Sequence, residues 1–277
     1  MADHPEASDQ SADLLPSDGA AWWLEGLAPV APPPERREAL RACLLQRAAQ
    51  SLAERAGLTT VRAKDGLWRP LKRGIRIKPL AAGTCGQSVL IELAPGAALP
   101  MHRHRWVEEG IVLRGDVCLG ELQLRPFDYH VSPAGSRHPR IRSQGGALAF
   151  LRGTSVGHTP SLLLELLTGL LPFAGEPPRT VPCDGPSWRE IAPGVTEKRL
   201  WSDGTWVSRY LRLEPSARVP GHPHRAAEEC LMLEGDVFLG DILLRPGDYQ
   251  WAAPGSRHGE VFSDTGALLF VRGAVDP

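Results

Sequence analysis

The chain is a duplication. His102, His104, Glu108 and His138 recur as His222, His224, Glu228 and His258, each displaced by the same 120 positions. Trp68 and Trp188 keep that offset at one end and Gly153 and Gly273 at the other, so no insertion or deletion intervenes. Between His102 and His138 more than half of the positions are identical in the two copies. A fixed period means one structural unit used more than once. A period this long, used only twice, predicts paired domains rather than a solenoid. The length of 277 residues gives room for two ordinary domains.

Both copies read as short strands cut by turns. In the first copy the predicted strands are Ser88–Leu93, Gly110–Leu113, Val117–Leu119, Glu121–Leu124 and Ala147–Leu151. Turn signals separate them at Pro95-Gly96, Arg114-Gly115-Asp116, Arg125-Pro126-Phe127-Asp128 and Pro133-Ala134-Gly135. The second copy follows with Glu234-Gly235-Asp236, Arg245-Pro246-Gly247-Asp248 and Pro254-Gly255. Many short strands at even spacing predict an all-β sandwich or barrel. Asp116, Asp128, Asp236 and Asp248 read as turn residues. Tyr129 and Tyr249 read as barrel-closing, and Cys118 and Cys230 as small hydrophobes on strands.

Residues 1–20 are small, polar and acidic and read as a disordered tail. Residues 21–60 hold an apolar patch at Trp22-Trp23-Leu24, a stiff spacer over Pro29–Pro34 and a predicted helix over Glu35–Arg55. Leu40, Leu44, Ala48 and Leu52 share one face of that helix, a face that packing on a barrel would cover. The two repeat domains are placed at 61–155 and 181–277. The linker 156–180 carries a short helix at Ser161–Leu171.

Composition narrows the function classes. Net charge is −1 and no run of Lys or Arg stands out, which argues against direct nucleic-acid binding, where phosphate neutralisation dominates affinity. No apolar run reaches the length of a bilayer span, so no membrane association is expected. The opening residues Met1–Glu6 have neither a basic nor an apolar region of the secretory type. Five widely spaced cysteines without a CxxC pair argue for a reducing compartment. A cytoplasmic location is expected.

The duplicated residues are metal-ligand types. Side chains alternate along a strand, so His102 and His104 point the same way and can reach one ion. Glu108 lies just beyond, and His138 follows a Pro-x-Gly turn that brings a neighbouring strand back to the site. Three imidazoles and a carboxylate suit Zn²⁺, Fe²⁺, Mn²⁺ or Ni²⁺ and do not choose among them. Such a centre keeps a net charge near +1 and can polarise water or an anionic ligand. Glu109 and Glu229 are duplicated too, and on a pleated strand only one glutamate of each pair can face the ion. His4, His130 and His158 lack counterparts and are read as incidental. Arg137 and Arg257 are read as solvated, with contact to an anionic ligand as the functional alternative. No phosphate loop or nucleophile elbow is present, and no catalytic residue is assigned.

These residues resemble the cupin superfamily. Gly96-x5-His102-x-His104-x3-Glu108-x6-Gly115 is similar to the first cupin motif throughout, and Pro133-x-Gly135-x2-His138 to the second. The second copy departs where Ser216 replaces the first glycine and where Pro254 stands one place late. Arg142 and Phe262 occupy the position of the last motif's Asn. The resemblance implies two tandem cupin barrels of the double-stranded β-helix, or jelly-roll, type, and it selects Glu108 and Glu228 as ligands. More narrowly, His-x-His with Glu-Glu, Leu-x-Gly-Asp and Pro-Gly-Ser-x-His is similar to the cupin domain of ChrR-type anti-sigma factors. Leu27–Pro34 and the helix after it also resemble the end of those proteins' sigma-binding domain. That resemblance implies a zinc-binding sensor of oxidative stress, with two metal sites per chain and a sigma factor or other regulatory protein as partner. The His-x3-Cys-x2-Cys signature of the family's anti-sigma domain is absent, and Cys43 stands alone. The alternative is a metal-dependent dioxygenase using Fe, Mn or Ni on a small carbonyl or aromatic substrate. A small anionic ligand and a homodimer through cupin edge strands are the remaining partner expectations.

Overall fold

The computed structural model describes residues 31–156, 167 and 176–275. The predicted tail, the Trp22-Trp23-Leu24 patch and, apart from Leu167, the Ser161–Leu171 helix lie outside the described residues. Two compact units divide the chain between Gln50 and Ser51.

Helix α1 spans Pro34–Glu54. Pro34 opens it, where a missing N–H breaks no intrahelical bond, and Glu35 in the first turn complements the helix dipole. Gly57 beyond its end takes a left-handed φ of 78°. The predicted apolar face forms, but no residue of the helix is buried, and Leu40, Leu44, Leu45 and Leu52 are exposed.

All remaining elements are strands. The first is β1 (Leu58–Val61). The first repeat supplies β2 (Arg69–Lys72), β3 (Ile75–Gly83), β4 (Gly86–Leu93), β5 (Ala98–Leu99), β6 (His102–Arg103) and β7 (Glu108–Gly115). It continues with β8 (Val117–Leu119), β9 (Leu122–Leu124), β10 (Tyr129–Ser132), β11 (Arg137–His138), β12 (Ile141–Arg142) and β13 (Ala147–Thr154). After β14 (Arg179–Val181), the second repeat gives β15 (Arg189–Ala192), β16 (Val195–Ser202), β17 (Trp206–Leu213), β18 (Arg218–Val219) and β19 (Glu228–Gly235). It ends with β20 (Val237–Leu239), β21 (Ile242–Leu244), β22 (Tyr249–Ala252), β23 (Val261–Phe262) and β24 (Ala267–Ala274). The expectation of two all-β barrels holds. Each barrel has a seven-stranded and a four-stranded sheet, in the orders β14-β10-β7-β13-β4-β3-β2 with β5-β12-β8-β9, and β1-β22-β19-β24-β17-β16-β15 with β18-β23-β20-β21.

The outer strands of those orders are exchanged. β1, which precedes the first repeat, pairs antiparallel with β22 of the second barrel, Leu58 opposite Ala252. β14, which precedes the second repeat, pairs with β10 of the first, Tyr129 opposite Val181. Buried lysines hold the chain that follows each exchanged strand. Lys78 Nζ donates to the carbonyls of Arg62 and Ala63 at 2.6 and 2.9 Å. Lys198 Nζ does the same to Pro182 and Cys183 at 2.6 and 3.2 Å. From the opposite barrel, Asp248 accepts from the Ala63 N–H at 2.7 Å and Asp128 from the Cys183 N–H at 3.3 Å. These aspartates also cap their own turns, accepting from Arg245 and Arg125.

Three cores result. Ile75, Ile91, Leu93, Val112 and Leu124 fill the first barrel, and Val195, Leu213, Met232, Leu244 and Leu269 the second. The third core lies between the barrels, where the two seven-stranded sheets pack through Leu90, Phe150, Tyr129, Tyr210, Tyr249 and Phe270. Phe150 and Phe270 meet there with ring centroids 5.6 Å apart. The paired tyrosines therefore seal the interface between barrels, not the barrel interiors. Because these sheets are covered on both faces, β4 buries the consecutive residues Val89, Leu90 and Ile91.

Gly115 has a φ of 83°, and a Cβ there would stand 1.9 Å from the carbonyl oxygen of Gly146. Gly115→Ala is expected to destabilise the chain by at least about 2 kcal/mol, through backbone strain and that collision. Gly96 has nothing within 4 Å, and its counterpart Ser216 already adopts a φ of 68°. Gly96→Ser is therefore expected to cost no more than about 1–2 kcal/mol. Urea midpoints at constant slope check both, and equal shifts for the two variants would contradict the argument.

Candidate metal centres

Each cluster is assembled by a short piece of backbone pairing. β6 and β11 form a two-stranded ladder that sets His102 directly opposite His138. The Pro133–Ser136 turn closes with the Ser136 N–H donating to Pro133 O at 3.0 Å. It grips His104 by both backbone groups: the His104 N–H donates to Ser136 O at 2.9 Å, and His104 O accepts from the Gly135 N–H at 2.8 Å. The second barrel repeats the grip at His224 with Ser256 and Gly255, both at 2.8 Å. There the short ladder shrinks to one bridge between Pro223 and Arg257, carried by the His224 N–H and by the His258 N–H, which donates to His222 O at 3.0 Å. β7 begins at Glu108, opposite Ser132 of β10.

In each barrel the three histidine rings lie near one another. In the first barrel the ring centroids of His102 and His104 are 4.9 Å apart, those of His104 and His138 4.6 Å, and those of His102 and His138 5.6 Å. The corresponding separations in the second barrel are 5.2, 4.3 and 5.6 Å. The ligand atoms of His102, His104 and Glu108 lie within 4.8 Å of one another, as do those of His222, His224 and Glu228. Either group could hold a metal ion.

Hydrogen bonding presets the imidazoles for that role. His102 Nδ1 lies 3.0 Å from the Pro100 carbonyl. A carbonyl only accepts, so the proton sits on Nδ1 and Nε2 carries the lone pair. His222 repeats the contact with Pro220 at 3.4 Å. The Ser256 hydroxyl donates to Ala253 O at 2.6 Å and therefore accepts from His224 Nδ1 at 3.1 Å. His224 Nε2 is left with its lone pair, buried and without a hydrogen-bonding partner, as is His104 Nε2. His224 Nε2 and His258 Nε2 face Glu228 Oε1 at 3.4 and 3.5 Å. Ligand atoms bonded to one tetrahedral ion at about 2.1 Å stand roughly 3.4 Å apart. The His224–Glu228 and His258–Glu228 contacts have that spacing, and a cation would supply what the facing acceptors lack.

The first cluster differs in two respects. His138 Nε2 lies 3.0 Å from Ser132 Oγ, so this ring stands beside the His102–His104–Glu108 group. Ala252 occupies the Ser132 position in the second barrel. His130, read from the sequence as incidental, is buried at the site with its ring 5.0 Å from that of His138. Its Nδ1 is 2.8 Å from Thr180 Oγ1 on β14, and its Nε2 has no partner. A cavity of about 230 Å³ opens against His102, Glu108, His130 and His138.

Burial disfavours the charged form of His104, His130, His138 and His258, and metal ligation requires neutral imidazoles. Desolvation, with a smaller push from His102, lowers His104 from 6.5 to about 3. It lowers His130 to about 4 against the pull of Glu108, and lowers His138 and His258 as well. Burial raises Glu108 despite His102 and Thr154. Burial acts to raise Glu228 too, but the adjacent His224 and His258 outweigh it and hold it at about 2. In the metal-free protein, an unfolded His104 takes up a proton below about 6.5 that the folded site refuses down to about 3. Stability is therefore expected to fall as pH drops through that window. The Glu228 contribution is lost between about 4.5 and about 2. Urea midpoints between pH 7.5 and 4.5 check this, and a flat profile would contradict it.

The second glutamate of each pair turns to the other face. Glu109 is fully buried between the barrels. It accepts from Tyr129 Oη at 2.7 Å, from Arg272 Nε at 2.8 Å and from the Ser208 hydroxyl. Glu229 mirrors it, accepting from Tyr249 Oη at 2.8 Å, from Arg152 Nε at 3.2 Å and from the Ser88 hydroxyl. Each carboxylate thus binds Ser and Arg of the opposite repeat. Arg137 and Arg257 are exposed. Cys230 is buried, and burial followed by the Glu228 charge pushes its thiol up. His4 and His158 lie outside the described residues.

Comparison with known proteins places the chain. Among solved structures it is similar to a putative dioxygenase from Nostoc punctiforme at TM-score 0.61 and 17% identity, covering 78% of this chain and 81% of that one. It is also similar to the oxalate decarboxylase OxdC of Bacillus subtilis at TM-score 0.54 and 18% identity, covering 78% and 77%. A third likeness is to AerE from Microcystis aeruginosa at TM-score 0.52 and 18% identity, covering 76% and 97%. At such identities the likeness is one of fold. Curated protein sequences gave no match. The family model described as the ChrR Cupin-like domain matches residues 57–156 and again 178–275. The chain belongs to the ChrR cupin-like family and carries its domain twice.

Proposed function

We propose that the chain is a regulatory metal-binding protein whose barrels act as a sensor module of the ChrR type. One ion is held by His102, His104, Glu108 and His138, the other by His222, His224, Glu228 and His258. The observation that carries this reading is the match of the ChrR cupin-like family to both barrels, together with the unpartnered His224 Nε2 facing the half-buried carboxylate of Glu228. Zinc is the expected metal, since neutral imidazoles and one carboxylate satisfy it without redox chemistry. When bound, the ion supplies a positive centre. The chain's own residues fix the imidazole protons through Pro100, Pro220 and Ser256 and shield the site from water. The partner is a sigma factor or other regulator, recognised without the Cys-based signature. Purification without added metal tests the reading. About two zinc ions per chain and capture of a regulator from stressed or unstressed cells support it, and recovery of neither would overturn it.

A second reading is a dioxygenase acting on a small carbonyl or aromatic substrate. The cavity against His102, Glu108 and His138 favours it, and the likeness to a protein described as a putative dioxygenase is consistent with it. Iron-loaded protein that consumes O₂ with a dicarbonyl or a catechol would support this reading over the first. No uptake across such a panel would dismiss it.

A further inference from the structure

The two barrels share their ligands but not their interiors. Gly110, Val112 and Ala149 line the cavity of the first barrel. The same positions in the second carry Cys230, Met232 and Leu269, all buried in one packed cluster. Larger side chains thus occupy in the second barrel the space that stays open in the first. At the polar end of the cavity His130 Nε2 is buried without a partner. Its ring is held from behind by Thr180, on the strand exchanged from the second repeat. The counterpart of this pair is Gln250, whose Nε2 donates to Thr60 Oγ1 at 3.1 Å and whose acceptor Oε1 is left over. The same position therefore offers a ring nitrogen in one barrel and an amide oxygen in the other.

We propose that the first barrel alone binds a small ligand, and that this ligand is a monocarboxylate with an apolar body. In this binding mode the ring proton of His130 sits on Nε2, directed at the carboxylate head, while Nδ1 faces Thr180 Oγ1 at 2.8 Å. The head sits beside the ion, whose surplus positive charge attracts it. The body lies along the aliphatic wall formed by residues such as Ile91, Leu99, Val112 and Leu151. A space of about 230 Å³ holds on the order of eight non-hydrogen atoms at about 30 Å³ each, the size of hexanoate. The second barrel, filled and offering an acceptor, is a structural metal site. This inference rests on the reading that the first barrel holds an ion.

Titration calorimetry of the zinc-loaded full chain with hexanoate, acetate and 1-hexanol tests it. Hexanoate is expected to bind once per chain, at least about tenfold tighter than acetate or hexanol. Ala149→Leu is expected to abolish binding, and Leu269→Ala to leave it unchanged. His130→Gln is expected to weaken binding about tenfold by turning a donor into an acceptor. Metal analysis of every variant accompanies the titrations. Zinc retained with no hexanoate bound, or with Ala149→Leu binding as the parent does, overturns the inference alone. A first barrel that takes up no metal overturns the metal reading, and the inference with it. Should Ala149→Leu fail to fold, the hexanoate-to-acetate ratio and His130→Gln still decide.

Discussion

Replacing His104 with alanine is expected to remove one of the two metal ions proposed for each chain, and replacing His224 to remove the other. Each cluster is built within its own barrel, the first from β6, β7 and β11 and the second from the segments that correspond to them. Neither cluster shares a ligand with the other, so the losses are independent. Thermal unfolding reads the same event as energy. An ion that binds only the folded state stabilises it by about 4 kcal/mol when free metal exceeds the Kd by about a thousandfold. Chelation of the parent protein lowers the unfolding temperature accordingly, and the single variants fall between. Two ions retained in either variant would show that the histidines are not ligands.

The second large effect separates two adjacent glutamates. Glu109→Gln is expected to leave the metal content unchanged and to unfold at much lower urea. Glu109 has no exposed surface, and Arg272, at 4%, has almost none. Removing one member of a buried ion pair strands the other, at a cost of about 3–5 kcal/mol. Arg152 lies 3.8 Å from Glu109 and 3.2 Å from Glu229, so the two carboxylates share one cation and the damage spreads across the interface. Glu108→Gln behaves in the opposite way, losing the first ion but unfolding, once both proteins are stripped of metal, at about the same urea concentration as the parent. Metal content of both variants, and urea midpoints measured in the presence of a chelator, check the pair. Equal behaviour would mean that the alternation along β7 does not divide them between ion and interface.

What the sequence makes legible follows from what it repeats. The ligand spacing recurs in register, and strand alternation together with the Pro-x-Gly turn is enough to bring His102, His104 and His138 together. The strands around Ser88–Leu93 and Ala147–Leu151 are legible because their apolar runs lie between turn signals. The exchanged strands are not legible. Leu58-Thr59-Thr60-Val61 is a short apolar stretch like any other, and its partner Tyr249–Ala252 lies at the far end of the chain. His130 is missed because it has no counterpart in the second copy. A signal exists nonetheless: it lies two residues before Ser132, which pairs with Glu108, and so shares the face of the ligands. The cavity depends on side-chain volume at positions 110, 112 and 149, and no motif reports volume. The apolar face of α1 is legible, but its exposure is not, since periodicity says where a face lies and not what meets it.

The exchange of outer strands fixes the order in which this protein can be finished. A ribosome releases Leu58–Val61 early and Tyr249–Ala252 near the end, an interval of roughly ten to forty seconds at ordinary synthesis rates. Throughout it, β1 has nowhere to dock. The nascent first half likewise keeps the rim of β10 open until Arg179–Val181 emerges, and an open rim invites pairing with other chains. A gene cut between the halves would yield two fragments, each lacking a border that the other encodes. Such a pair is inherited, translated and completed as one object.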